Sequence, residues 1–370
     1  MYCKSLKLYA ISLATILYAH ICIAASVKKW ESKEFEFQKP RIKALSNLNN
    51  FLFDTKSSIK TDSALIIYKG FIIYEKYANG YDVNRRHAAW SMSKSILNTL
   101  TGIAINKKKL QLNHSICLYF KEKAQDPNFC KITVNSLLNW TSGIHWKEDY
   151  EKSETPSASS VIQVLYGDGR ANMAKFVMNH KLEAPPDTFW RYSSGDSLLL
   201  SALLKKVFSP DDNFLWTEIF DVLGMHSPVF EKDGTGVIVA SSYLYSTPRD
   251  LAKWAYLYLK NGEWEDKQLF QKNWIASSLQ VPQAFKNKTV DRDEGDVGGA
   301  SFWLNKAVPE QNIAQPWPSA PADTFATEGH WGQNIFIIPS WDAIVLRFGN
   351  DRKESMDKNE FLKRVGAFLK

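Results

Sequence analysis

The chain has 370 residues, of which 45% are hydrophobic and 23% are charged, and its formal net charge is +7. This is an ordinary globular balance, long enough for one large domain or two closely packed ones with a sizeable core. Acidic residues are interleaved with lysines throughout and no basic block stands out, which argues against a nucleic-acid partner.

The first 25 residues are predicted to be a secretory signal peptide. Lys4 and Lys7 form a basic start, an apolar run without acidic residues extends from Leu8 to Ala25, and Ala24 or Ala25 offers a small residue for cleavage. No later stretch is long and apolar enough to span a bilayer, so we predict a secreted or periplasmic protein without a membrane span after signal removal. An uncleaved N-terminal anchor is the alternative.

Residues 26–370 are predicted to form the folded part of the protein. A short helix is predicted from Arg41 to Phe53. The apolar, β-rich runs Ala64–Tyr68 and Phe71–Tyr77 flank a Lys-Gly turn and predict a β-hairpin. The segment from Trp90 to Asn106 has apolar residues at helical spacing and is predicted to be a buried helix.

Helices are predicted to dominate the middle of the chain, and strands return near its end. The predicted helices are Val134 to Trp140, Ser160 to Leu165, Met173 to Leu182, Ser197 to Val207, Pro248 to Asn261 and the terminal Lys358 to Leu369. The predicted strands are Ala300 to Leu304, Asn334 to Ile338 and Ala343 to Phe348, and the predicted cleft loops are Thr289 to Gly299 and Gln315 to Asp323.

Strands at both chain ends around a helical middle predict an α+β fold. One antiparallel sheet, from about residues 40–85 and 290–370, is flanked by helices, and residues of about 100–285 form a mainly α-helical insertion. Cys117 and Cys130 are the cysteines that remain after signal removal. An even pair in an oxidising compartment predicts a disulfide, and two buried thiols are the alternative.

The chemistry is carried by Ser91-Met-Ser-Lys94 at the start of a predicted helix. The i, i+3 spacing puts Ser91 and Lys94 on one helix face, within reach of a hydrogen bond. A serine hydroxyl becomes a strong nucleophile when a nearby base accepts its proton, and a buried lysine of lowered pKa can be that base. The same helix start can direct the Ser91 amide at an oxyanion. A solvated helix start is the other interpretation of this short motif.

The surroundings of the motif favour the catalytic interpretation. Ser91 follows a hairpin and opens an apolar helix, so its position is not a typical solvated face. About a hundred residues later a Pro-rich segment delivers Tyr192 just before another predicted helix. A tyrosine there could pass a proton between the nucleophile and the leaving group. A packed aromatic residue is the alternative role.

These motifs resemble the serine β-lactamase and penicillin-binding-protein superfamily, in particular its class C-like branch and the 6-aminohexanoate-dimer hydrolases. The resemblance covers residues of about 40 to 370. The segments that carry it, besides the Ser-x-x-Lys motif, are Ile132 to Ile144, Tyr192-Ser-Ser-Gly-Asp196, Tyr245 to Ala252 and Gly329-His-Trp-Gly-Gln-Asn334, with Glu148-Asp149-Tyr150 upstream. It implies a β-lactamase/transpeptidase-like fold and catalysis by Ser91, Lys94 and Tyr192.

Two departures from the family pattern bear on the substrate. The Tyr-x-Asn motif has Ser194 in its third position, and the Lys-Thr-Gly motif has no lysine. Its place is taken by Thr327-Glu328-Gly329, with the His330 amide completing the oxyanion hole, or by His330-Trp331-Gly332 in another register. The first is preferred because it leaves the next strand the right length. The resemblance also indicates Tyr150, Ser194, Gly329 and Trp331 as substrate-binding residues.

The expected activity is that of a serine hydrolase acting on a small-molecule amide or ester, without a cofactor or metal. The first alternative is a class C-like β-lactamase or D-alanyl-D-alanine carboxypeptidase. The missing lysine weakens it, because in those enzymes this lysine is expected to hold the substrate carboxylate. The second alternative is a non-catalytic, penicillin-binding-like protein. Ser91, Lys94 and Tyr192 together argue against it, and the sequence leaves the oligomeric state undetermined.

Overall fold

A six-stranded antiparallel sheet drawn from both ends of the chain forms the centre of the fold. The computed structural model describes residues 39–369 apart from 55, 152–154, 288–289, 292–295 and 353–354. The predicted signal peptide lies outside the described residues. The strands are β1 (Thr61–Tyr68), β2 (Phe71–Tyr77), β3 (His87–Ala88), β4 (Trp190–Arg191), β5 (Val229–Phe230), β6 (Leu244–Ser246), β7 (Glu263–Trp264), β8 (Lys267–Gln268), β9 (Val290–Asp291), β10 (Trp303–Leu304), β11 (Phe325–Gly329), β12 (Gln333–Ile338) and β13 (Ala343–Gly349).

The order of strands in the main sheet is β10-β11-β12-β13-β1-β2. The predicted hairpin is confirmed, since β1 and β2 pair antiparallel across the turn at Lys69 and Gly70. The first strand of that hairpin also pairs with the last strand of the chain, Tyr68 opposite Ala343. The sheet built from both chain ends, as predicted, therefore brings segments from opposite ends of the chain into one layer.

Helices cover both faces of this sheet and fill the middle of the chain. The helices are α1 (Lys39–Phe53), α2 (Ser93–Asn106), α3 (Val134–Leu138), α4 (Ser160–Tyr166), α5 (Met173–Met178), α6 (Ser194–Phe208), α7 (Pro248–Leu259), α8 (Lys272–Ser278), α9 (Gln283–Lys286) and α10 (Lys358–Leu369). Leu52 of α1 and Phe361 of α10 pack in one core cluster with Ile66, Phe336 and Val345 of the sheet. The strands β1 and β13 are buried along almost their whole length because α7 packs against them as well.

Several predicted elements differ from the observed ones at their ends. The helix predicted from Trp90 begins as a 3₁₀ turn, Trp90–Met92, and becomes α-helical at Ser93. Periodicity did not predict β11, because three of its five residues, Ala326, Glu328 and Gly329, belong to types that are depleted in strands. The strand predicted from Ala300 is limited to β10.

Two further structural facts bear on the predictions. Cys117 and Cys130 are joined by a disulfide that links positions 13 residues apart. Among the helices that the structure describes, none has the length and apolar character needed to cross a membrane.

Candidate active site

Ser91 lies in a tight bend between strand β3 and helix α2. The preceding residue, Trp90, has a φ of 50°, in the left-handed region that bulky residues rarely adopt. The Ser93 hydroxyl donates to the Trp90 carbonyl at 2.8 Å and to the Ala240 carbonyl at 3.0 Å, which holds the bend in place. Ser91 is therefore in the first turn of the helical segment, where backbone N–H groups have no intrahelical acceptor.

Lys94 is buried beneath Ser91 and contacts it directly. Its Nζ donates to Ser91 Oγ at 2.9 Å and to the Ser241 carbonyl at 2.8 Å. The side chain is 1% exposed, and this burial lowers the pKa of Lys94 to about 8, against a smaller opposing effect of the Glu148 carboxylate. A lysine in this state can accept the proton of the Ser91 hydroxyl.

Tyr192 completes the group around the nucleophile. It lines the cleft together with Ser91, and its ring centroid lies 4.9 Å from Lys94 Nζ. Trp140 and Trp303 pack against the ring at centroid distances of 4.7 and 5.3 Å. Burial raises the pKa of Tyr192 well above its usual value, so the phenol keeps its proton at neutral pH and can donate it.

Strand β11 forms the wall opposite the nucleophile and carries Thr327-Glu328-Gly329, the preferred replacement of the Lys-Thr-Gly motif. Thr327 accepts a hydrogen bond from Ser95 at 2.8 Å and donates to the Met92 carbonyl at 3.3 Å, which ties the strand to helix α2. A Cβ on Gly329 would lie 2.3 Å from the Ala89 carbonyl, so only glycine permits this approach. His330, Trp331 and Gly332 form the following turn.

An aromatic cluster surrounds the mouth of the cleft. The Tyr150 ring stacks on His330 at 4.7 Å, and Trp90 packs edge-on against both. Glu151 accepts from Trp331 Nε1 at 3.0 Å and pairs with His330 Nε2 at 3.1 Å. Burial lowers the pKa of His330. These contacts join the segment before residue 152 to the turn after β11.

Glu148 is a cleft residue for which no role was predicted. Its carboxylate accepts from Trp146 Nε1 at 2.5 Å, from the Ser194 amide at 2.9 Å and from the Ser194 hydroxyl at 2.6 Å. Ser194, predicted to bind substrate, is 0% exposed and instead holds Glu148. The only indication of this role in the sequence is that Glu148 lies between two aromatic residues, Trp146 and Tyr150.

Glu328 of β11 and Asp296 add negative charge to the cleft wall. Lys358 Nζ lies 2.8 Å from Glu328 and 3.6 Å from Asp296. Burial raises the pKa of Glu328 despite this ammonium group, and the two carboxylates raise the pKa of Lys358 over the opposing effect of burial. The cleft wall that carries Thr327-Glu328-Gly329 therefore has two carboxylates, those of Glu328 and Asp296, paired with the single ammonium group of Lys358.

The cleft has a volume of about 490 Å³. It is lined by Ser91, Trp146, Lys147, Glu148, Tyr150, Trp190, Arg191, Tyr192, Asp296, Trp303, Glu328, Gly329 and His330. The structure therefore brings most of the predicted site residues together, with Lys94 buried below them. Ser194 and Trp331 lie outside this lining. Within the described ranges, no three His, Cys, Asp or Glu side chains group closely enough to bind a metal ion.

Comparisons with known proteins identify the family of this chain. Residues 46–367 match the Beta-lactamase family. The 6-aminohexanoate-dimer hydrolase of Paenarthrobacter ureafaciens is 21% identical over 301 residues, covering 78% of this chain and 72% of that protein.

Solved structures share the fold. EstCE1, a hydrolase with promiscuous acyltransferase activity, aligns with a TM-score of 0.67 at 15% identity, over 90% of this chain and 99% of that one. A class C β-lactamase in complex with cefoxitin aligns with a TM-score of 0.63 at 13% identity, over 88% and 99%. The predicted β-lactamase/transpeptidase-like fold is confirmed. The chain belongs to the Beta-lactamase family and is a serine hydrolase of that family.

Proposed function

We propose that the protein is an exported hydrolase that cleaves an amide or ester bond through an acyl-enzyme on Ser91. The observation that carries this proposal is the 2.9 Å hydrogen bond from Lys94 to the Ser91 hydroxyl, beneath a cleft that both Ser91 and Tyr192 line. A nucleophile in contact with a buried base of lowered pKa is the arrangement that covalent catalysis requires.

The reaction follows from these contacts. Ser91 Oγ attacks the substrate carbonyl carbon while Lys94 accepts the hydroxyl proton. The amides of Ser91 and His330 stabilise the negative charge on the carbonyl oxygen. Tyr192 donates a proton to the leaving nitrogen or oxygen as its bond to the carbonyl carbon breaks, and the protonated Lys94 passes the serine proton on to the Tyr192 phenolate, so that both groups return to their starting protonation states. Water then attacks the acyl-enzyme, which releases the acid and restores the Ser91 hydroxyl.

The cleft wall supports an amidase or esterase of the 6-aminohexanoate-dimer hydrolase or carboxylesterase type over a β-lactamase. Thr327 occupies the position of the motif lysine and binds within the protein, to Ser95 and the Met92 carbonyl. Lys358 approaches the same wall but is paired with Glu328. A substrate carboxylate would meet negative charge there, which disfavours β-lactams and D-alanyl-D-alanine peptides.

Covalent labelling with a fluorophosphonate tests the acyl-enzyme. We expect one label on the wild type, none on Ser91→Ala, and a label on the matched control Ser201→Ala, which replaces a buried serine that lies outside the cleft lining and donates to the Ile238 carbonyl. Intact mass spectrometry measures the label. A wild type that stays unlabelled contradicts the proposal.

A substrate panel separates the remaining activities. We expect turnover of p-nitrophenyl esters of increasing chain length or of aminohexanoate oligomers, and little turnover of nitrocefin. Nitrocefin hydrolysis at rates equal to the ester rates would instead support the β-lactamase alternative.

Export is a separate part of the proposal and rests on the apolar run from Leu8 to Ala25 after a basic start. Expression with the full N-terminus should yield extracytoplasmic protein that begins close after Ala24 or Ala25. Recovered protein that still begins at Met1 would contradict cleavage.

A further inference from the structure

The proposed oxyanion hole depends on the direction of one backbone N–H group, that of His330. A trans peptide plane places an N–H opposite the carbonyl of the same plane. The His330 N–H shares its plane with the carbonyl of Gly329, which is fixed in the ladder opposite Gln333. In the part of the chain that the structure describes, the His330 N–H donates to no other residue. His330 itself lines the cleft.

The turn that follows is strained and needs external support. Trp331 has a φ of 61°, and Gly332 has a φ of 85°, so two successive residues adopt the left-handed region. For a tryptophan this conformation is unfavourable unless the surroundings impose it. Contacts to the three carbonyls of the turn must supply that constraint.

Within the described chain, Gln333 supplies two of the four contacts to these carbonyls. Its Nε2 donates to the carbonyls of His330 at 2.9 Å, Trp331 at 3.2 Å and Gly349 at 2.7 Å. Its Oε1 accepts from the Gly349 amide at 3.0 Å. The residue is 1% exposed, so water does not compete for these bonds. The side chain links the turn to the central strand β13.

A buried ion pair behind Gln333 fixes the rest of the turn. Arg347 donates to the Gly332 carbonyl at 2.9 Å and binds Asp351 through both terminal nitrogens, at 2.7 and 2.8 Å. The Asp351 amide donates to the Trp331 carbonyl at 3.0 Å. Every carbonyl of the turn therefore accepts a hydrogen bond from Gln333, Arg347 or Asp351, none of which lines the cleft.

We propose that Gln333 is the positioning residue of the oxyanion hole: by holding the His330 and Trp331 carbonyls against β13, it keeps the strained turn in the one conformation in which the His330 N–H, whose own peptide plane belongs to the β11–β12 ladder, faces the cleft. This inference rests on the proposed function. Gln333 does not line the cleft and touches no reacting atom. It fixes the peptide plane that follows His330, while the ladder fixes the plane before it.

The experiment compares Gln333→Met with a matched control, Asn305→Leu. Asn305 is also fully buried and uses the same bonding pattern, since its Nδ2 donates to the carbonyls of Trp317, Ala320 and Pro321 and its Oδ1 accepts from the Trp317 amide. It lies outside the cleft lining. Both substitutions remove four hydrogen bonds of a buried amide, so their effects on stability should be similar.

The readouts are steady-state kinetics on a p-nitrophenyl ester and inhibition by an aryl trifluoromethyl ketone, whose adduct with Ser91 carries the oxyanion. We expect Gln333→Met to lower kcat/KM about 10- to 100-fold through kcat, with KM within about threefold, because complete loss of one oxyanion donor costs about 100- to 1,000-fold. The ketone affinity should fall by a similar factor. Asn305→Leu should change neither by more than about threefold.

If Gln333→Met does not fold, Gln333→Glu replaces it as the test variant. It keeps an acceptor for the Gly349 amide but loses the donor to the carbonyls, so the same loss in kcat is expected. Unchanged ketone affinity in a folded Gln333 variant, or an equal loss in Asn305→Leu, would overturn the inference. A wild type without Ser91 labelling would instead refute the proposed function.

Discussion

The titration of Lys94 gives the most direct test of its role as the base. Burial lowers its pKa to about 8 from an ordinary 10.5. Since only the neutral amine accepts the Ser91 proton, kcat/KM should rise with pH to a plateau and reach half of it near pH 8. At pH 7 the expected value is about one tenth of the plateau, and at pH 6 about one hundredth.

The same shift should be visible in folding stability. Below pH 8 the buried Lys94 is charged in the folded protein, which lowers the free energy of unfolding. Between about pH 8 and 10.5 the folded protein has lost this proton while the unfolded chain still binds it, so the free energy of unfolding rises with pH. The difference between the two pKa values corresponds to about 3 kcal/mol. Relative to Lys94→Met, the wild type should therefore gain about 3 kcal/mol of unfolding free energy across this range.

Denaturant unfolding of both proteins at pH 7, 8, 9 and 10.5 measures this gain. Subtracting the Lys94→Met curve removes the contribution of tyrosines, which titrate in both proteins. A wild-type curve parallel to the variant curve, together with a kcat/KM that is flat between pH 6 and 9, would refute the assignment of Lys94 as the base.

Three further variants test other parts of the structure. Tyr192→Phe should lower kcat/KM about 100-fold or more, and more for an anilide than for the matched p-nitrophenyl ester, because only the amine leaving group needs a proton; equal losses would argue against proton donation. Replacing Cys117 and Cys130 with alanine should lower the unfolding free energy by about 3 kcal/mol, since the disulfide closes a 13-residue separation; an unchanged urea midpoint would contradict this. Gly329→Ala should lower kcat/KM at least about tenfold, because the new Cβ meets the Ala89 carbonyl at 2.3 Å and displaces β11; wild-type kinetics would show that the strand can shift without effect.

Local patterns were sufficient to predict the framework of the fold. The alternation of apolar residues around Lys69-Gly70 predicted the hairpin, and helical spacing predicted the buried helix that begins near Ser91. The family resemblance then joined Ser91, Lys94 and Tyr192, although about a hundred residues separate the tyrosine from the other two. These predictions rest on short segments whose local chemistry is informative.

Residues whose role depends on contacts distant in sequence could not be predicted. Ser194 was expected to bind substrate, yet its hydroxyl and amide both hold Glu148, 46 residues away. Gln333 was noted only as part of a motif, because its partner Gly349 becomes a neighbour only when β12 and β13 pair. The sequence pattern did not predict β11 because Ala326, Glu328 and Gly329 belong to types that are depleted in strands, and pairing with β10 and β12 stabilises this strand.

The pairing of β1 with β13 also has a consequence for how the chain acquires its structure. Arg347 donates to the Thr61 hydroxyl across a sequence separation of 286 residues, and both residues are buried in the sheet. Closing so long a loop is entropically costly and slows folding, whereas the helices between are joined by contacts closer in sequence. Because β13 is a central strand, we expect the helical segment to acquire structure first and the sheet to close late. The oxyanion turn, which depends on β13, would then be among the last parts of the cleft to form.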